Sequence, residues 1–325
     1  MKMFSVVLAS CVCLVACGGG GTGGANSSGG TFPSVSDYQF VGFDENNASE
    51  LVELSLEGVG VSGSAGDIDS SADSASGVAA IVLAQDLMRE YFVGSELSSR
   101  FDTRARKASC TDSGMMTISN EGSLAEAGDW LLISFDQCER DGALLDGVMH
   151  ISVGAQSIVA SEMAAEFNSL RVTQFARTST LSGDLRISWF RNGTLLSSSM
   201  SSHQLNMHDT ENGHTVISDL QIERGSDSFT NSDTLNISYE VASDQLNGRL
   251  MFKTPQPLLF MSNSTRPVTG LLHLTGASGS YIELNADTGQ SDSVFLTVFD
   301  GSVVSAGSVI WSDLNNTGFS TLSSF

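Results

Sequence analysis

The chain is expected to be mainly β: an antiparallel curved sheet or sandwich built from repeated hairpins, with one N-terminal helix. Three observations predict it. An aspartate precedes alternating apolar residues at Asp129 with Leu131, Ile133 and Phe135, at Asp233 with Leu235, Ile237 and Tyr239, and at Asp292 with Val294, Leu296 and Val298. A second alternating pattern carries glycine on its apolar face: Leu145-Gly147-Met149-Ile151, Leu181-Gly183-Leu185-Ile187, Leu246-Gly248-Leu250-Phe252 and Val268-Gly270-Leu272-Leu274, with a weaker copy at Ser305-Gly307-Val309-Trp311. Three times the first pattern runs into the second, over 129–151, 233–252 and 292–311.

Alternation with period two and a polar joint between runs is the mark of an antiparallel hairpin with one buried face. Glycine on that face marks a bulge, a bend or a close backbone approach, which curved sheets require. The irregular spacing of the copies excludes a solenoid. The runs predict strands of about seven or eight residues, short for a membrane-spanning barrel, whose strands need roughly 9–11.

The elements follow in chain order. Met1 to Ala16 carries Lys2, an apolar stretch and small residues near its end, as a secretory signal does. Leu14-Val15-Ala16-Cys17 resembles the lipobox of bacterial lipoproteins, which implies cleavage before Cys17 and lipidation of that cysteine. Gly18 in the next position, rather than aspartate, implies sorting to the outer membrane. Residues 17–36, the lipidated cysteine and a Gly/Ser-rich run, read as a tether with no means of building a core. Residues 37–325 then form one domain, long enough to bury a sizeable core. Within it, Leu54, Leu56, Val59 and Val61 suggest short strands. Asp67-x-Asp69 lacks the glycine and glutamate that a calcium loop needs. Ser76 can cap a helix over about 76–93, with Ala80, Ala84, Leu87, Met88 and Tyr91 on one face and Gly94 at its end.

Five cysteines are present. Cys11 and Cys13 leave with the signal and Cys17 takes lipid, so Cys110 and Cys138 remain, and in an exported chain they are expected to form a disulfide. The net charge of −22 repels nucleic acid and anionic lipid head groups and suits solubility or cation binding. One basic cluster, Arg100, Arg104, Arg106 and Lys107, reads as a solvated loop.

Asn212-Gly213 between alternating runs predicts a two-residue hairpin turn. That register pairs Glu211 with His214 and Asp209 with Val216, and places Leu205, Met207, Val216, Leu220 and Ile222 on one face. It also sets His208 on the opposite face from His214 and His203 far along the strands, so the three histidines do not form a metal site. His150 and His273 face away from the apolar set in their glycine strands. No G-x-S-x-G elbow, H-E-x-x-H, P-loop or C-x-x-C occurs, and Asp112-Ser113-Gly114 lacks the surroundings of a catalytic serine. The expectation is no enzyme, no catalytic residue, no metal and no cofactor.

The order Cys110-x-x-x-Gly114, Gly128-Asp129-x-Leu131-x-Ile133-x-Phe135-x-x-Cys138, then Leu145-x-Gly147-x-Met149 resembles a group of Gram-negative outer-membrane lipoproteins without an assigned activity. The stretch Gly270 to Ser280, the strand Val294 to Val298 and Trp311 resemble the same group. Where its members carry an aspartate-rich loop, this chain reads Ser119-Asn120-Glu121-Gly122, so no calcium site is carried over. The resemblance implies location and fold only.

Two functional readings follow. One is a structural or protein-interaction module of the cell envelope, held to the outer membrane by its lipid and meeting a protein partner. The other is a carrier whose curved sheet holds a hydrophobic ligand. The carrier requires an apolar cavity lined by Leu131, Ile133, Leu235 and Ile237; the module requires that these residues fill a solid core.

Overall fold

The computed structural model describes residues 32–43 and 106–311, apart from short gaps, together with 323–324. The signal, Cys17, the strands proposed before residue 63 and the helix proposed over 76–93 lie outside the described residues.

Among the described residues, fifteen strands form one sheet in strict chain order, each antiparallel to the next. They are β1 (Arg106–Ser109), β2 (Ser113–Glu121), β3 (Trp130–Arg140), β4 (Ala143–Gln156), β5 (Ala160–Gln174), β6 (Arg177–Asn192), β7 (Leu195–Asp209), β8 (Gly213–Asp227), β9 (Ser232–Ser243), β10 (Gly248–Met261), β11 (Thr269–Thr275), β12 (Tyr281–Asn285), β13 (Ser293–Phe299), β14 (Val304–Ile310) and β15 (Ser323–Ser324). The fold is a single open meander rather than two packed sheets. The three expected hairpins are β3–β4, β9–β10 and β13–β14. The central strands are longer than their apolar runs suggested: β4 to β8 have 14 to 16 residues.

One face is buried from end to end. Leu131, Ile133, Met149, Ile151, Leu181, Leu185, Leu205, Leu250, Leu272, Leu284 and Leu296 belong to one continuous apolar cluster reaching from Ile118 on β2 to Val309 on β14. A flat sheet exposes both faces, so the bend comes from a seam of irregularities that crosses it. Gln137, Ser169 and Asp219 hold positive φ within β3, β5 and β8. The register shifts beside each of them, between Phe135 and Cys138, Phe167 and Leu170, and Ser218 and Gln221. Such bulges bend a strand and sharpen its twist.

The glycine strands provide the counterpart. Gly147 and Gly183 adopt φ +127° and +123°, and a Cβ on either would meet the neighbouring strand, Ser169 O at 2.8 Å and Gln204 O at 2.1 Å respectively. Each pairs across the ladder with a buried phenylalanine, Phe135 for Gly147 and Phe167 for Gly183. The glycine pattern in the sequence is therefore the trace of the seam.

Cys110 and Cys138 form the expected disulfide, with Cα atoms 5.4 Å apart. It closes the loop around the β2–β3 hairpin, and Cys138 is the first buried residue after the Gln137 bulge.

The candidate functional site

Two polar constellations stand out, one on the seam and one where the N-terminal segment crosses the strand ends.

On the seam, side chains satisfy the backbone groups that the bulges remove from the ladder. A buried N–H without a partner is costly, so each bulge needs such a replacement. Ser169 N–H donates to Ser182 Oγ at 3.0 Å. The Asp184 carboxylate accepts the N–H groups of His203 and Gln204, each at 3.2 Å. Thr254 Oγ1 accepts Ile237 N–H at 2.8 Å and donates to Asn236 Oδ1 at 2.6 Å. Beside Asp184 lies a polar cleft of about 310 Å³ lined by Arg186, Ser201, His203, Asp219 and Gln221 among others. His203 Nδ1 lies 3.8 Å from Asp219 Oδ1, but both side chains are more than four-fifths exposed, so their attraction is weak in water.

The second constellation is built by residues 32–43, a strap running over one rim of the sheet. Its 3₁₀ turn at Val35–Asp37 is capped at Ser34, whose N–H donates to Asp37 Oδ2 at 2.7 Å. Val35 and Tyr38 cover Val216 and Ala242 on the outer face of β8 and β9. Phe40 bridges Arg249 in parallel, and the Arg249 guanidinium stands 4.1 Å over the Phe40 ring while donating to Glu240 at 3.1 Å. Val41 O accepts Ala277 N–H at 2.7 Å, and Phe43 enters the main core. Phe32, the first described residue, packs against His214 and lies inside the stretch read as tether.

At the corner under the strap, the β7–β8 hairpin departs from the sequence reading. Asp209 pairs with Gly213 and His208 with His214. The loop holds Thr210, Glu211 and Asn212, and Gly213 follows at φ +77°. The reason is Asp209, whose carboxylate accepts the N–H groups of Glu211 and Asn212 and so lengthens the turn. In this register Val216 lies on the outer face under the strap, while Leu205, Met207 and Ile217 point into the core. Beyond Asp219 the parity of β8 switches, which returns Leu220 and Ile222 to the core.

The same correction brings His208 and His214 to one face, where their rings stack at 4.2 Å and 27°. The Phe32 ring meets His214 edge-on at 6.0 Å. Both Nδ1 atoms are buried without a hydrogen-bond partner. Burial lowers the His214 pKa and His208 adds to the lowering, while Asp244 opposes it. Burial alone would raise the Asp209 carboxyl, but Arg177 Nε at 2.7 Å, Ser179 Oγ at 2.7 Å and the two loop N–H groups hold it below the usual carboxylate range. Tyr38 donates to Asp244 at 3.0 Å, and its own pKa is pushed up to about 12, by burial first and by Asp244 second.

His150 and His273 lie on the outer face as expected, beside Glu166 at 3.9 Å and Glu283 at 3.8 Å. Among the described residues, no three His, Cys, Asp or Glu side chains converge as metal ligands. Leu131, Ile133, Leu235 and Ile237, the residues that would line a carrier's cavity, are at most 3% exposed. Comparison with family models, curated proteins and solved structures finds no match.

Proposed function

We propose that this chain is an envelope lipoprotein, held to the outer membrane through Cys17, that works as a structural or protein-interaction module without catalysis of its own. The observation that supports this reading is the packed inner face of the sheet. Leu131, Ile133, Leu235 and Ile237 sit in one continuous apolar cluster, which is what a scaffold needs. Most polar groups of the seam and the strap corner serve to cap backbone or to dock residues 32–43. The acidic surface suits a partner with a basic face.

The test is native mass spectrometry of the protein secreted by a Gram-negative host, followed by in-cell crosslinking. An apo mass with a reproducible crosslinked envelope protein supports the module. A lipid that leaves only on denaturation supports the carrier and overturns it. Metabolic labelling with a fatty acid is expected to mark the parent chain and not Cys17→Ser; an unlabelled parent would refute the anchor.

A further inference from the structure

The two rims of the sheet differ in chemistry. The strap rim carries Asp209, Glu211, Asp244 and Asp300 at its turns, and residues 32–43 cover part of it. At the opposite rim, four consecutive hairpin tips each expose a large apolar side chain. Val159 before β5 is 46% exposed, Leu195 at the start of β7 45%, Phe229 between β8 and β9 82%, and Met261 at the end of β10 45%.

These tips are fixed against one another. Arg191 N–H donates to Val159 O at 2.7 Å, joining the first tip to the second. Ser228 N–H and Oγ both donate to Thr194 O, at 3.2 and 3.3 Å, joining the second to the third. Ser232 pairs with Met261 in the β9–β10 ladder, joining the third to the fourth. Within the third tip, Asp227 accepts Phe229 N–H at 2.9 Å and Thr230 Oγ1 at 3.0 Å, which holds the turn that lifts the phenylalanine out. With neighbouring strands about 4.8 Å apart, successive tips lie roughly 10 Å apart and the row spans on the order of 30 Å.

Charge separates this row from the rest of the chain. The tip segments 156–160, 191–195, 227–232 and 261–268 contain two arginines, Arg191 and Arg266, against the single aspartate Asp227, whose carboxylate is engaged in its own turn. The whole chain has 37 acidic residues and 15 basic. Acid is thus sparse at these four central tips, whereas the flanking turns of the same rim carry Glu126, Asp129, Asp287 and Asp292. A surface of separated apolar tips flanked by arginine matches the outer layer of a bilayer, where phosphates meet guanidinium and the acyl boundary accepts apolar side chains. A protein partner would be better served by a contiguous patch with a packed centre.

We propose that this rim docks on a lipid bilayer surface, with Leu195, Phe229, Val159 and Met261 entering the headgroup–acyl boundary and Arg191 and Arg266 meeting phosphates. The site is distinct from Cys17 and needs no acyl chain.

The experiment uses the chain from residue 17 onward carrying Cys17→Ser, exported behind a signal that is cleaved before that residue, so that neither an acyl chain nor the apolar stretch Met1 to Ala16 enters the readout. Vesicles of phosphatidylethanolamine with a minor share of phosphatidylglycerol are sedimented with it at physiological salt. Binding is expected, and the pair L195S/F229S is expected to weaken it at least about tenfold. Val303→Ser, at an equally exposed apolar residue on the strap rim, is expected to leave binding unchanged. Because all three side chains are exposed, the variants are expected to keep the parent's melting temperature. Absence of vesicle binding by the parent chain overturns the proposal, as does equal binding by L195S/F229S. Light scattering supplies the remaining outcome: a dimer abolished by L195S/F229S, without vesicle binding, assigns the rim to contact between copies of this chain and also overturns it.

Discussion

His208 and His214 stack across the β7–β8 hairpin at 4.2 Å with both Nδ1 atoms buried and unpartnered, and the strap lies against them through Phe32. Protonation of His214 would place a charge in a buried site against a second imidazole ring. Asp244 is the compensating charge, and its carboxylate also accepts the His214 backbone N–H at 2.7 Å. Because the His214 pKa is lowered in the fold, the native state binds fewer protons than the unfolded chain. The stability this provides is present above the unfolded value of about 6.5 and is lost as pH falls below it. The strap is therefore expected to loosen first on acidification. Hydrogen exchange at the Val41, Arg249 and Ala277 amides, corrected for intrinsic rates, is expected to rise between pH 7 and 5 in the parent and to change less in His214→Phe.

Asp209 defines a second, more acidic window at the same corner. Its carboxyl is held below the ordinary value of 3.8, so its contribution is present above that value and is lost only as pH falls through the lowered one. A melting-temperature profile is expected to show two separate declines, and Asp209→Asn is expected to remove the lower one and leave the upper. A single decline in the parent would contradict the assignment.

Asp184 is the acceptor for two backbone N–H groups at the β7 irregularity. Charge-assisted bonds of this kind contribute about 1.5–3 kcal/mol. Asp184→Ala is expected to lower the unfolding free energy read from urea titrations by an amount in that range, and Asp184→Asn, which keeps one acceptor oxygen, by less. The Arg186 and Asp219 side chains lining the same cleft do not cap backbone in this way, so Asp219→Ala is expected to have a smaller effect.

The Cys110–Cys138 bond closes a loop of sequence separation 28. In the chain-entropy model it stabilises the fold by about 3–4 kcal/mol. Reduction, or Cys110→Ser with Cys138→Ser, is expected to lower unfolding free energy by about that amount in urea titrations, with the native sheet's far-ultraviolet signal retained in water.

The legible part of this fold was the side-chain alternation, because a half-buried strand stamps period two on its sequence. Asp129, Asp233 and Asp292 each stand at the start of an alternating run whose Leu131, Ile133 and Phe135, Leu235, Ile237 and Tyr239, or Val294, Leu296 and Val298 face the core. Strand length was hidden by the same rule. In β5 the buried set runs Ala165, Phe167, then Leu170 and Val172, because Ser169 shifts the parity. A reader following alternation stops at the bulge, although the strand continues beyond it. The stacked histidines were hidden by a different ambiguity. Asn212-Gly213 fits a two-residue turn and a longer one equally well, and the signal that separates them is Asp209, placed to accept two N–H groups in the longer turn. The seam's capping side chains Ser182, Asp184 and Thr254 sit on strands other than those they cap, so only three-dimensional pairing reveals them.

Gly183 tests the seam most directly. It lies at φ +123°, and a Cβ there would stand 2.1 Å from Gln204 O and 3.0 Å from Leu205 Cα, which are backbone atoms that cannot rotate away. Gly142 offers a matched control: its φ is +77° and nothing lies within 4 Å of the added carbon. Gly142→Ala therefore incurs only the left-handed backbone penalty, about 1–2 kcal/mol. Gly183→Ala adds to its own strained φ the displacement of β7 at the point where Asp184 holds the His203 and Gln204 amides. Its loss of unfolding free energy is expected to exceed that of Gly142→Ala by several kcal/mol, since backbone strain and overpacking act together. The bend and the polar caps are one device, so combining Gly183→Ala with Asp184→Ala is expected to cost less than the sum of the two single changes. Additive losses in such a double-mutant cycle would mean that the glycine and the cap act independently, and that the seam is not a single unit.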